Sequence, residues 1–99
     1  MERIPELVPR AADAVADWPW ASVRLADAGV LGLPQDAPFD RVLVSAMARE
    51  LPDDLVDQLV PDGVLVVPVA GVMLRVVRRP DGGVRVTDHG YYAFVPLIR

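Results

Sequence analysis

The chain has 99 residues, 53% hydrophobic and 24% charged, which suits one small folded domain and excludes a disordered segment. Its net charge of −4, with ten arginines and no lysine, makes nucleic-acid binding unfavourable. The absence of cysteine and the single histidine, His89, exclude disulfides, a cysteine nucleophile and a multi-histidine metal site. No apolar run approaches the ~20 residues of a membrane span, and no signal-peptide core follows Met1, so we expect a cytoplasmic protein.

The first part of the chain predicts a helix, a short strand and a loop. Apolar residues recur at helical spacing from residue 5 to 17, and Pro9 is expected to kink this helix or delay its start. Trp18-Pro19-Trp20 ends the helix, and residues 22–26 are predicted to form a strand. Residues 27–38 are rich in glycine, proline and aspartate, which is typical of a loop.

Two continuous apolar runs predict strands that are covered on both faces, as parallel strands usually are. The first run covers residues 39–46 and the second covers residues 64–69. Between them, Pro52-Asp53-Asp54 opens a predicted helix, and Pro61-Asp62-Gly63 is expected to stop it. This order indicates a strand–helix–strand unit.

The last third of the chain predicts an antiparallel hairpin. Residues 72–79 and 84–88 flank the turn sequence Pro80-Asp81-Gly82-Gly83. Residues 92–97 either extend the last strand or run beside it. We therefore expect an α/β fold in one domain, residues 1–99, whose mostly parallel sheet ends in an antiparallel hairpin.

Four sequence blocks occur in an order that resembles one enzyme family. They are Glu2-Arg3-Ile4-Pro5-Glu6-Leu7, residues 37–46 with their core Ala37-Pro38-Phe39-Asp40-Arg41, Leu51-Pro52 together with residues 59–69, and Phe94-Val95-Pro96-Leu97. In this order they resemble the C-terminal half of the protein-L-isoaspartate O-methyltransferases, which have a Rossmann-like methyltransferase sheet. The resemblance covers essentially the whole chain. It implies a longer enzyme that uses S-adenosyl-L-methionine to methylate the carboxylate of L-isoaspartyl residues in damaged proteins, a repair reaction.

The resemblance also implies candidate site residues. Glu2 matches the acidic residue at the end of the family's second strand and would bind the ribose hydroxyls of the cofactor. Asp27 matches the aspartate of a Gly-Asp-Gly segment near the adenine, although Ala28-Gly29 is an alternative alignment. Ser45 falls in the turn after the family's fourth strand, close to where methyl donor and acceptor meet. No metal is expected, because the acceptor carboxylate is already ionised and the reaction needs mainly alignment.

Some family features have no counterpart in these residues. The glycine-rich cofactor loop and the first two strands are missing, as is the upstream segment that holds the substrate. The family's strand order, 3-2-1-4-5-7-6, then implies that the strand around Val23 loses its partner. The strand around Val42 would become an apolar edge that invites a complementing chain or self-association. We therefore expect a gene fragment, a miscalled start or one half of a complemented pair, inactive by itself.

Two smaller departures and two alternative functions also follow from the comparison with the family. Asp62-Gly63 stands where a Gly-Gly pair is usual, and Pro68-Val69-Ala70-Gly71 has one residue more than the usual Pro-Val-Gly. One alternative function is an aspartate O-methyltransferase that acts on ribosomally made peptides. The other is a non-catalytic fragment or interaction module that has kept the sheet without the cofactor loop.

Overall fold

The computed structural model describes residues 1–99, which divide into two compact units. The first unit contains residues 1–32 together with Arg99, and the second contains residues 33–98. None of the helices in either unit has the length and apolar character that crossing a membrane would require.

The helix of the first unit begins later than its apolar pattern suggests. Residues Pro5–Leu7 form a 3-10 turn, and helix α1 extends from Val8 to Ala14. Pro9 lies at the start of α1, where a residue without an N–H costs no intrahelical hydrogen bond. The predicted delay at Pro9 is therefore confirmed.

The strand predicted at residues 22–26 is reduced to a single bridge. Leu25 pairs in parallel with Glu2, and no other residue of the segment belongs to a ladder. The expectation that this segment has no partner is therefore wrong, because the main chain of Glu2 takes that place. The pairing cannot continue, since Pro5 begins a helical turn only three residues after Glu2.

The second unit is built on a four-stranded sheet whose spatial order follows the chain, β1-β2-β3-β4. The strands are β1 (Phe39–Leu43), β2 (Leu59–Val69), β3 (Val72–Arg78) and β4 (Val84–Tyr91). Strands β1 and β2 are parallel, whereas β2–β3 and β3–β4 are antiparallel. The predicted hairpin is confirmed, but the sheet is mixed, with more antiparallel pairing than the sequence indicated, because β2 turns directly back into β3. The strand order that the resemblance implied, with the last strand between the two strands before it, is wrong here, because β3 occupies the place next to β2 and β4 lies at the edge.

The helix before β2 is shorter than predicted, and β2 is longer. Helix α2 covers only Asp53–Val56, and β2 begins at Leu59. Between the pairs Phe39↔Leu59 and Arg41↔Val64, β1 advances two residues while β2 advances five. The segment Pro61-Asp62-Gly63, interpreted above as a helix stop, is therefore a bulge in which Asp62 has a φ of 66°.

Gly63 is required in this bulge because there is no space for a side chain. A Cβ atom built on Gly63 would lie 2.8 Å from the carbonyl oxygen of Val60 and 3.2 Å from that of Phe39. Real Cβ atoms essentially never approach backbone oxygen as closely as the first of these distances. The glycine therefore permits the close approach of β1 and β2.

Most of the core of the second unit lies on one side of the sheet, whereas Pro68, which is also fully buried, lies on the other side. Leu65, Val67 and Val76 are fully buried, and Leu59 is almost so. Helix α2 contacts β2 and buries Leu55 and Val56. These large apolar side chains supply most of the hydrophobic stabilisation of the unit.

Strand β1 is an edge of the sheet, as predicted for the run around Val42. It pairs with β2 on one side only, and Leu43 at its end is 72% exposed. Strand β4 forms the opposite edge, with Val84 and Val86 exposed. Both edges therefore present apolar side chains beside unpaired backbone groups.

Candidate functional site

Glu2 is fixed by hydrogen bonds of both its backbone N–H and its backbone carbonyl group. Its N–H donates to the carbonyl oxygen of Arg24 at 2.9 Å, and its own carbonyl oxygen accepts the N–H of Ala26 at 2.8 Å. Its half-buried side chain accepts the N–H of Ile4 at Oε1, at 3.0 Å. A carboxylate has about four acceptor positions, so Glu2 keeps capacity to accept hydrogen bonds from ligand hydroxyls.

Asp27 begins a tight turn immediately after the segment that pairs with Glu2. The carbonyl oxygen of Asp27 accepts the N–H of Val30 at 3.1 Å, and Gly29 has a φ of 78°. This φ is typical of the third position of a type II turn and favours glycine. A Cβ atom at Gly29 would meet nothing within 4 Å, so conformation and not space determines the residue.

The structure brings Glu2, Asp27 and Ala28 together within the first unit. Ala26 is hydrogen-bonded to Glu2. Asp27 and Ala28 come one and two residues after Ala26, so they lie next to the segment that pairs with Glu2. Both are exposed, and neither is held by a side-chain hydrogen bond within the turn. The first unit therefore places a half-buried carboxylate next to an exposed turn, and both offer hydrogen-bond acceptors.

Ser45 lies in the second unit, just beyond the carboxyl end of β1. The N–H of Val44 donates to the carbonyl oxygen of Val66 at 2.9 Å, which holds the chain to β2 up to that point. Ser45 itself is exposed and lies outside the ladder. Ligands of open α/β sheets bind at the carboxyl ends of parallel strands, which is the position of this serine.

Met47 and Ala48, which follow Ala46, are hydrogen-bonded to two different segments of the chain, which the sequence did not indicate. Met47 donates its N–H to Val95 at 2.6 Å and accepts the N–H of Leu97 at 2.9 Å. On the other side, Ala48 donates to Pro68 and accepts from Ala70, each at 2.9 Å. Ser45 and Ala46 are therefore a short span between two fixed segments.

A further contact fixes the side chain of Met47. Its thioether Sδ accepts the N–H of Gly71 at 3.2 Å, in the turn that joins β2 to β3. In the segment 92–97, the N–H of Tyr92 donates to the carbonyl oxygen of Gly71 at 3.0 Å directly after β4, and Pro96 forms a parallel bridge with Met47. Nothing in the apolar pattern of the sequence marks Met47, because its partners Val95, Leu97 and Gly71 are all distant along the chain.

The ionisable residues of the chain form no metal centre. No group of three or more histidine, cysteine, aspartate and glutamate side chains lies close enough to hold a metal ion. His89 makes a local contact instead, between its Nε2 and the Oγ1 of Thr87 at 2.8 Å. The chemistry available at Glu2, Asp27 and Ser45 is therefore hydrogen bonding to a ligand.

Two comparisons by sequence point to the same family. The family model described as protein-L-isoaspartate(D-aspartate) O-methyltransferase matches residues 1–99. The protein-L-isoaspartate O-methyltransferase of Thermococcus onnurineus is 43% identical over 99% of this chain and 48% of its own length. That of Pyrococcus horikoshii is 42% identical over 99% of this chain and 47% of its own length. The chain thus spans about half the length of these curated relatives.

The fold agrees with this relationship. A crystal structure of a Plasmodium falciparum protein-L-isoaspartate O-methyltransferase, in complex with S-adenosyl-L-homocysteine, superposes with a TM-score of 0.77. It is 24% identical, and the match covers 97% of this chain and 50% of the other. The expected α/β methyltransferase sheet is therefore confirmed. From the family match over the whole chain and the identity to its relatives, this chain belongs to the protein-L-isoaspartate(D-aspartate) O-methyltransferase family.

Proposed function

We propose that the chain acts as part of a longer enzyme that methylates the carboxylate of L-isoaspartyl residues in proteins and peptides. The observation that carries this proposal is the family match over all 99 residues, together with 43% identity to a protein-L-isoaspartate O-methyltransferase. S-Adenosyl-L-methionine would supply the methyl group. The product would be a methyl ester, and the damaged site would thereby enter a repair route in the cytoplasm.

The residues of the first unit fit the adenosine part of this cofactor. The Glu2 carboxylate, which is half-buried and held at Oε1 by the N–H of Ile4, has acceptor positions for the two ribose hydroxyls. The exposed turn at Asp27 and Ala28 offers a polar edge for the adenine. Glu2 would bind and orient the ribose, and the turn would contact the base.

Ser45 would act at the acceptor side. Its hydroxyl lies on a short exposed span, and the following residues Met47 and Ala48 are hydrogen-bonded on both sides. A donor held in this way can orient one oxygen of a substrate carboxylate while the other oxygen attacks the methyl carbon. The bond from the methyl carbon to the carboxylate oxygen would form as the bond from carbon to sulfur breaks, S-adenosyl-L-homocysteine would leave, and no proton would be transferred. No general base is required because the acceptor carboxylate is already ionised, and alignment alone can contribute several kcal/mol.

A chimera tests the proposal directly. We would replace the matched segment of the Thermococcus onnurineus relative, 48% of its length, with the 99 residues of this chain. The expected result is transfer of a labelled methyl group to an isoaspartyl peptide and none to the same peptide with normal aspartate. A folded chimera that methylates neither peptide would contradict the proposal.

Calorimetry with S-adenosyl-L-homocysteine separates the enzyme from a non-catalytic module. The folded chimera is expected to bind S-adenosyl-L-homocysteine. A chain that has lost its cofactor contacts would show no heat of binding for this ligand. Ser45→Ala in the same chimera should reduce turnover while leaving the affinity for S-adenosyl-L-homocysteine within about twofold, because the serine is proposed to contact only the acceptor.

A further inference from the structure

The tripeptide Pro-Asp-Gly occurs twice in this chain, in two different conformations. Pro61-Asp62-Gly63 forms the bulge of β2, and Pro80-Asp81-Gly82 lies in the turn between β3 and β4. Asp62 and Asp81 are the only aspartates that precede a glycine, and the chain contains no asparagine. Because the two tripeptides are identical, a difference in reactivity between these aspartates must come from the fold.

An aspartate followed by glycine can rearrange without an enzyme. The main-chain nitrogen of the glycine attacks the Cγ of the protonated aspartate and loses its proton; a nitrogen–carbon bond forms, and the hydroxyl of the carboxyl group leaves as water. Water then opens the five-membered succinimide ring. Addition at Cγ restores aspartate, whereas addition at the main-chain carbonyl carbon breaks its bond to nitrogen, so that the chain continues through Cγ as L-isoaspartate. Glycine favours the reaction because no side chain shields its nitrogen.

Asp81 lies in an open turn with its carboxyl group folded over the residues that follow. Its Oδ1 accepts the N–H of Gly83 at 2.8 Å, and a Cβ atom built on Gly83 would lie 4.0 Å from its Cγ. A side chain that reaches the N–H two residues on passes beside the nitrogen of the residue between, which is Gly82. Both Asp81 and Gly82 are exposed, and a Cβ atom on Gly82 would meet nothing within 4 Å, so the ring and the incoming water have space.

The nitrogen of Gly82 can be freed without unpairing a strand. It donates its N–H to the carbonyl oxygen of Arg79 at 3.0 Å, and this hydrogen bond lies beyond the last paired residues of the hairpin, Arg78↔Val84. Exposed loop tips are the parts of a fold that rearrange most readily. The turn therefore allows the movement that ring closure requires.

Asp62 has the opposite surroundings. It lies within β2, between residues that pair with β1 on both sides of the bulge, and Gly63 is buried. The carbonyl oxygens of Val60 and Phe39 lie 2.8 Å and 3.2 Å from the position of a Cβ atom on Gly63, so the glycine is closely surrounded by backbone. Ring closure changes the main-chain torsion angles at the attacked peptide, and here that change would break the pairing of β1 with β2.

From this comparison we propose that Asp81 is a site of spontaneous modification, where aspartate becomes L-isoaspartate, and that the bulge protects Asp62 from the same change. The product lengthens the main chain at the hairpin tip by a methylene group and exposes a new carboxylate there. An L-isoaspartyl group is what the name of the Thermococcus relative specifies, so the modified tip is a methyl acceptor for such a separate enzyme. The proposal is independent of the proposed function, because the rearrangement requires no cofactor and no activity of this chain.

Incubation of the 99-residue chain near neutral pH for several weeks tests the proposal. One sample is folded, and the other is kept unfolded in guanidinium chloride. Peptides that contain Asp62 or Asp81 are then separated by chromatography, and isoaspartate is identified from its main-chain fragments in mass spectrometry, because its total mass equals that of aspartate. We expect isoaspartate only at Asp81 in the folded sample and at both positions in the unfolded one.

Labelling with S-adenosyl-L-methionine provides a second measurement. The incubated folded chain should accept labelled methyl groups when the Thermococcus relative is added, whereas freshly purified chain should accept almost none. Asp81→Glu should abolish the labelling, because a glutamate side chain would have to close a larger ring. Asp62→Gly is the matched control, since glycine suits the positive φ at that position, and it should leave the labelling unchanged.

Three results would overturn the proposal. Absence of isoaspartate at Asp81 in the folded chain would show that the turn is protected, whatever the unfolded sample contains. Equal amounts at Asp62 and Asp81 in the folded chain would show that the fold does not distinguish the two tripeptides. Labelling that persists in Asp81→Glu would locate the methyl acceptor at another residue.

Discussion

The side-chain amide oxygen of Gln58 accepts the backbone N–H of Leu33 at 2.9 Å. The backbone carbonyl oxygen of the same residue accepts the N–H of Phe39 at 2.7 Å. Gln58 is only 5% exposed, so it is a buried polar residue whose hydrogen bonds connect the segment before β1 to the start of β2. Buried polar groups persist in folded proteins when their hydrogen bonds are made.

Replacing Gln58 with methionine should destabilise the second unit. The substitution keeps the length of the side chain but removes the acceptor, so the N–H of Leu33 loses its partner, at a cost of about 1–3 kcal/mol in the free energy of unfolding. Urea denaturation measures this change. Gln35→Met, at an exposed position, is the matched control and should cost much less. Equal losses for the two variants would contradict the role of Gln58.

A substitution in the β2–β3 turn should stabilise the chain. Ala70 and Gly71 form a two-residue loop between the paired residues Val69 and Val72, and their φ angles are 48° and 91°. Such a turn favours asparagine followed by glycine, because a Cβ atom is strained at positive φ. We expect Ala70→Asn to raise the free energy of unfolding by about 0.5–1 kcal/mol.

Ala70→Val tests the same explanation with the opposite sign. A β-branched side chain is strongly disfavoured at a positive φ, so this variant should melt below the parent chain. Thermal denaturation of both variants checks the pair. If asparagine and valine shift the melting temperature in the same direction, the conformation of Ala70 is not the cause.

The exposed edge of β1 should govern self-association of the isolated chain. Leu43 is an apolar side chain at the end of an unpaired strand edge, and a lysine there is a common means of blocking edge-to-edge pairing. Leu43→Lys should therefore increase the monomer fraction in sedimentation velocity experiments. Leu7→Lys, which makes the same change on an exposed residue of the 3-10 turn, should have little effect. The edge has no such role if Leu7→Lys is as effective.

Glu2 should matter for cofactor affinity and not for folding. Glu2→Gln keeps an oxygen for the N–H of Ile4 but removes the charge that would strengthen hydrogen bonds to the ribose. In the chimera we expect about tenfold weaker binding of S-adenosyl-L-homocysteine by calorimetry. Glu6→Gln, an exposed residue of the adjacent turn, is the control. An unchanged affinity in Glu2→Gln would remove Glu2 from the proposed site.

The elements that the sequence predicted well are those determined by local chemistry. The turn sequence Pro80-Asp81-Gly82-Gly83 is sufficient to indicate the hairpin, and the valine-rich run of residues 64–69 indicates a buried strand. The bulge at Asp62 was missed because the same Pro-Asp-Gly residues also end helices. The pattern gave no means of choosing between these two structures, since the bulge arises in the pairing of β2 with β1, a segment about twenty residues earlier in the chain.

The candidate site was predictable only in part, for a similar reason. Glu2 and Asp27 were named from their resemblance to a family, and the hydrogen bonds that bring their segments together join residues more than twenty positions apart. The fixing of Met47 between Val95 and the β2–β3 turn likewise depends on long-range pairing. Periodicity describes which face of an element is apolar, but it carries no information about which segments become neighbours.

The spatial order of the sheet has a consequence for how it opens. Strands β2, β3 and β4 follow one another through short turns, whereas fifteen residues, 44–58, separate β1 from β2. Closing this longer connection costs more chain entropy, and β1 contributes only a few paired residues in return. We therefore expect β1 to detach in a local fluctuation while the three-stranded meander persists. Native-state hydrogen exchange should show the amide of Val44, bonded to Val66, exchanging well before the central amides of β3; exchange at a single common rate would mean that the four strands open as one.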